Sequence, residues 1–173
     1  MTDERRHWYV AYVKSCMEQV SAGRLRALGI ECYVPVQKVV RQWSDRKKVV
    51  DSLVIPRVIF VHSTEQERVM TLAKVNTLYK YITTKGPYTA SIVPDAEMET
   101  FRNMVERGGR SVSFEQTPLS PGDRVRVVSG PLTGCECELV SVGGKRCLAV
   151  RLGPMGTAMM DLGLDDVRKI ENN

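Results

Sequence analysis

Aromatic residues all but vanish from the last third of this 173-residue chain: ten of the eleven precede residue 108, the other is Phe114, and none follows. From Leu119 onward the core must therefore be built from aliphatic and methionine side chains. About 55 residues of this kind form something small and of marginal stability. Nor does any run approach the roughly 18 apolar residues that cross a bilayer. The opening MTDERRHWYV lacks the apolar centre of a signal peptide, so a cytoplasmic protein with no membrane partner is expected.

Histidine is scarce too. His7 and His62 stand far apart, no G-x-S-x-G or phosphate loop occurs, and the acidic residues form no obvious catalytic pair. An enzyme is therefore not expected, and no residue is assigned a catalytic role. A nuclease working through Asp45 and Asp51 would have to hold its metal among cations, which is electrostatically unfavourable. The five cysteines, Cys16, Cys32, Cys135, Cys137 and Cys147, are odd in number and unevenly spaced, so they make no disulfide framework. Cys135-x-Cys137 lacks the further ligands of a zinc site and reads as small apolar residues on a strand. Neither a metal nor another cofactor is expected.

What the chain does have is a lopsided charge. Its 43% hydrophobic and 26% charged residues suit a folded protein. Residues 1–107 hold 17 Lys and Arg against 12 Asp and Glu, whereas residues 108–173 hold eight of each, so the whole excess of +5 lies in the first part. Two units of different chemistry follow from this: residues 1–107, a linker at 108–118 (GGRSVSFEQTP), and residues 119–173.

In the first unit HWYVAYVKS reads as a strand. Ser15 and Glu18 are spaced as a capping box for a helix that Gly29 closes, with Met17, Val20, Leu25, Ala27 and Leu28 on its apolar face. Two strand-like runs, IECYVPVQKVV and KKVVDSLVIPRVIFVHS, flank a turn at Ser44 and Asp45 and form a long antiparallel hairpin, with Pro56 interrupting the second. Thr64 and Glu67 cap a second helix carrying Val69, Met70 and Leu72; NTLYKYIT is a further strand; and Pro94-Asp95 starts a third helix that Gly108-Gly109 ends. The class is α+β, an antiparallel sheet with helices packed on it. After Leu119, short valine-rich runs between glycine turns predict five small strands in a barrel.

Two segments carry a resemblance. GDRVRVVSGPLTGCECELVSVGGK resembles a KOW motif, and HWYVAYVKS, a basic hairpin and VIPRVIFVHS resemble the NGN domain of the NusG family, in that family's order. PVQKVVRQWSDRKK is most similar to UpxY-type antiterminators, NusG paralogues of surface-polysaccharide operons in gut anaerobes. The resemblance implies an NGN sandwich followed by a KOW barrel, in a factor that rides on RNA polymerase. Such a factor grips the clamp helices of the largest subunit and suppresses pausing and termination. A general NusG-like elongation factor and a KOW-type ribosomal RNA-binding protein are the alternatives, the latter disfavoured by the zero net charge of the second unit. The chain departs from the family at Pro56-Arg57-Val58, where Pro-Gly-Tyr is usual, and at Leu132, where housekeeping members carry phenylalanine.

By matching positions the polymerase-facing groove falls on Tyr12, Ile55, Val58 and Phe60, residues that ordinary core packing would also explain. The tip, with Arg41, Trp43, Arg46, Lys47 and Lys48, is suited to phosphates of upstream duplex or non-template DNA, or of nascent RNA, unless it is a solvated surface that keeps the hairpin unpaired. Lys14 and Arg24 match the region where a specialised paralogue reads the non-template strand. Leu132 and Gly134 mark the loop by which the KOW unit would meet a ribosomal or regulatory protein.

Overall fold

A computed structural model describes residues 4–84, 86 and 89–171. In chain order its elements are β1 (His7–Val13), α1 (Glu18–Ala27), β2 (Glu31–Tyr33), β3 (Val36–Gln42), β4 (Lys47–Leu53), β5 (Val58–Ser63), α2 (Glu65–Lys74), β6 (Leu78–Tyr81), β7 (Ile92–Val93), α3 (Asp95–Arg107), β8 (Val112–Glu115), β9 (Asp123–Val127), β10 (Glu136–Val142), β11 (Lys145–Arg151), β12 (Thr157–Asp161) and β13 (Val167–Lys169). The fold is α+β. Two compact units form, one from Met1–Pro35 with Ile55–Asp95, the other from Val36–Val54 with Ala96–Asn173. Among the described residues no helix is long and apolar enough to cross a membrane.

The first unit is an antiparallel sheet of order β2-β5-β1-β6, with β7 pairing β1 beyond β6. β1 lies at its centre, and the register Val10↔Phe60 and Ala11↔Ile59 places buried residues of β1 and β5 side by side. The sequence predicts a run through β4 and β5 interrupted at Pro56, and the chain breaks there, at Val54–Arg57. Pro56 has no N–H to give a ladder, and Arg57 turns into the left-handed region at φ 63°.

Two helices present faces other than those that periodicity predicts. α1 buries Glu18, Ser21, Ala22 and Leu25 and leaves Met17, Val20 and Leu28 exposed. Its polar face goes inward because each polar group has a partner: Glu18 accepts from the Arg57 backbone N–H at 2.8 Å, and the Ser21 hydroxyl donates to Thr77 Oγ1 at 2.7 Å. Glu18 is thereby unavailable to Ser15, so the expected capping box does not form, and Met17 occupies the N-cap without a side-chain bond. The Thr64–Glu67 box does form at α2. That helix, however, buries Arg68 and Thr71 while Val69 and Leu72 stay exposed.

Arg68 lies between two aromatic rings, 5.6 Å from the centroid of Tyr9 and 5.2 Å from that of Tyr81, and pairs with Glu65. Burial pushes the Tyr81 phenol up to about 12, while the Arg68 guanidinium holds the Glu65 carboxyl below its ordinary range. A guanidinium stacks on rings while keeping its edge for a carboxylate, which lets it be buried without losing its charge.

The second unit holds a six-stranded antiparallel sheet of order β13-β9-β10-β11-β12-β8 and the separate β3–β4 ribbon. The five strands expected after Leu119 are present. A sixth, β8, comes from the stretch expected to be a linker, and its alternation Val112-Ser113-Phe114-Glu115 pairs with β12. Gly143 and Gly144, at φ 57° and 79°, make the two-residue turn joining β10 to β11. α3 reaches this sheet through Thr100, whose hydroxyl donates to the Glu136 carbonyl at 3.2 Å.

Candidate nucleic-acid interface

β3 and β4 pair from Val36↔Leu53 to Gln42↔Lys47, and a four-residue turn closes when the Trp43 N–H donates to the Arg46 carbonyl at 2.8 Å. Side chains alternate between the two faces of such a ribbon, so Arg41 and Lys48 stand directly opposite each other on one face and Gln42 and Lys47 on the other. Two like charges at facing positions destabilise a hairpin. Among the described residues no carboxylate pairs with Arg41, Arg46, Lys47 or Lys48; Lys48 instead lies 5.6 Å from the centroid of the Trp43 ring. Trp43 is 50% exposed. Three registers below Arg41 and Lys48 the opposite holds, and Lys38 and Asp51 neutralise each other at 2.7 Å.

The base of the ribbon is fixed by one side chain that sequence reasoning passes over. The Gln37 amide donates to the Val112 carbonyl at 2.9 Å and accepts from the Val112 N–H at 2.8 Å, pairing with β8 as another strand's backbone would. A polar residue at a half-buried position of an alternating strand is the only trace of it in the sequence.

All seven residues expected to meet nucleic acid lie at the surface, and they divide between the two units. Arg41, Trp43, Arg46, Lys47 and Lys48 share the ribbon tip; Lys14 and Arg24 belong to the other unit, where the Arg24 guanidinium is engaged by the Asn76 amide oxygen.

The apolar set is placed differently from expectation. Tyr12 is half-buried, with the Lys80 ammonium 5.8 Å from its ring centroid. Ile55, Val58 and Phe60 are core residues, Phe60 with no exposed surface. Strand alternation cannot distinguish a groove-lining apolar residue from a core one, and these three went to the core. Leu132 is likewise buried, at 2% exposure, beneath the turn in which Gly134, at φ 91°, donates to the Val127 carbonyl. It packs inward instead of presenting a contact, while Gly134 is exposed.

The thiols are set by burial as well. Cys137 is pushed up to about 12 and Cys32, Cys135 and Cys147 also upward, so they remain protonated at neutral pH. Among the described residues no group of three metal-binding side chains comes together.

A family model described as "Transcription termination factor nusG" matches residues 6–102. No curated protein sequence gives a significant match. Among solved structures, the one titled "Domain interaction in Thermotoga maritima NusG" aligns over 96% of this chain and 98% of its own at 17% identity, with a TM-score of 0.49. Two conformations of the MjSpt4:Spt5 complex, A and B, each align over 96% of this chain and 99% of theirs at 14% identity, with TM-scores of 0.31 and 0.32.

Proposed function

Because this chain belongs to the NusG family, we propose that it is a transcription elongation and antitermination factor that binds RNA polymerase and carries it past pauses and terminators. In this reading residues 1–107 act as the NGN module on the clamp helices of the largest polymerase subunit. Residues 119–173 act as a KOW module that recruits a ribosomal or regulatory protein, and the factor works in the cytoplasm. The mechanism is processive and non-catalytic, so it calls for no cofactor.

The observation that carries the nucleic-acid part of the proposal is the ribbon tip. Facing cations with no carboxylate partner cost the hairpin stability, and a polyanion would return it. The similarity of PVQKVVRQWSDRKK to UpxY-type factors supports service to a surface-polysaccharide operon.

Terminator read-through by the cognate RNA polymerase tests the proposal, measured with and without this protein on its own operon's leader and on an unrelated leader. Increased read-through on its own leader alone is expected. An equal increase on both would make it a general elongation factor, and no effect together with no polymerase binding would overturn the reading.

A further inference from the structure

We propose that the β3–β4 ribbon enters the major groove of double-stranded DNA, with its turn and last three cross-strand pairs between the two phosphate walls. The inference rests on the reading that this hairpin meets nucleic acid, and it names which form and which surface.

The first reason is the distribution of charge. Arg41 and Lys48 project from one face, Lys47 from the other, and Arg46 lies in the turn. A hairpin that lies along a single strand needs cations on one face only. A ribbon between two rows of phosphates needs them on both, and that is the arrangement here.

Dimensions agree. The major groove is about 12 Å wide and about 8.5 Å deep, and it admits a two-stranded ribbon. At about 3.4 Å per residue the registers from Val40↔Val49 to Gln42↔Lys47 extend about 7 Å, and the turn adds the remainder. Every uncompensated cation of the ribbon falls within this depth. Val39 and Val50 come next, and the pair below them, Lys38–Asp51, is neutral, so the charge ends near where the groove's edge would be.

The remaining tip residues suit base edges. Val40 and Val49 face each other across the strands at 65% and 58% exposure, an apolar pair that gains nothing from water and suits thymine methyl groups inside the groove. Gln42 has the bidentate amide that reads adenine, while the four cations are left for the phosphates. Trp43 has the Lys48 ammonium against one face of its ring, which leaves only the other face to a stacked, unpaired base.

The test is fluorescence anisotropy of the full chain with a labelled 20-base-pair mixed-sequence duplex and with one of its strands, from 50 to 200 mM salt. Guanine N7 methylation on the duplex is read in parallel. Tenfold or tighter preference for the duplex is expected, with a log-log salt slope of about −3.6 for four phosphate contacts and protection of N7. Lys47→Ala and Lys48→Ala, on opposite faces, should each make the slope shallower by about 0.9. Equal or tighter binding to the single strand, or an effect from one face only, would overturn groove insertion and leave nucleic-acid contact standing. No binding to either probe would overturn both.

Discussion

The Glu18 carboxylate accepts a hydrogen bond from the backbone N–H of Arg57 at 2.8 Å, and Arg57 holds φ at 63°. An arginine thus occupies a left-handed position at the residue where the family usually has glycine, with a buried carboxylate fastened to its backbone. Left-handed geometry costs an ordinary residue about 1–2 kcal/mol, and glycine's greater chain entropy takes back part of any relief. Arg57→Gly should therefore raise stability by about 1 kcal/mol in urea unfolding. Glu18→Ala, which leaves that N–H unpaired, should lower it by about 1–3 kcal/mol. A destabilised Arg57→Gly would mean that the arginine side chain, and not the bond to its backbone, holds the bend.

Arg68→Lys should not substitute for arginine, since an ammonium cannot stack on the Tyr9 and Tyr81 rings and also bind Glu65 in a planar fork. A loss of about 1–3 kcal/mol is expected, read by thermal unfolding. The Tyr81 phenol, pushed up to about 12, should ionise after the exposed tyrosines in an ultraviolet titration. Its folded value lies above the unfolded value of about 10. The associated stability is present below that pH and is lost as pH climbs from about 10 to about 12.

Acid should release the second unit through Glu138. The Arg151 guanidinium, bonding both its oxygens at 2.8 and 2.9 Å, holds this carboxyl below its ordinary range, with help from the Gly122 N–H. A depressed folded value contributes stability above the unfolded value of about 4.3 and loses it as pH falls through the folded one. The stability difference between the wild type and Glu138→Gln should shrink steadily from pH 6 to pH 3. A difference that does not change with pH would dissociate this ion pair from acid sensitivity.

Phe60→Ala should cost about 3–5 kcal/mol of folding stability, as expected for a fully buried phenylalanine. Circular dichroism and unfolding on the variant separate this from a surface effect. Retained stability with weakened polymerase binding would restore Phe60 to a groove.

Elements whose signals are local were legible in the sequence. The Thr64–Glu67 box, the Ser44-Asp45 turn, the break at Pro56 and α3 after Pro94 each depend on neighbours within a few residues. What failed depended on partners far along the chain. The inward face of α1 is decided by Arg57 and Thr77, and β8 by its pairing with β12. For the site, exposure followed charge, so every cation was placed correctly at the surface. The apolar candidates were undecidable because a valine or phenylalanine on a strand carries the same pattern in a groove as in a core.

Gln37 gives the ribbon the mechanics of a lever. Its paired bonds to Val112 are a pivot five residues from Gln42, an arm of about 17 Å at 3.4 Å per residue. A tilt of about 10° at that pivot would carry the tip about 3 Å, a distance beyond which a hydrogen bond or a phosphate contact no longer holds. Whatever displaces β8 would therefore be magnified at the cations, so a single amide lets a small shift in the six-stranded sheet set the aim of the tip.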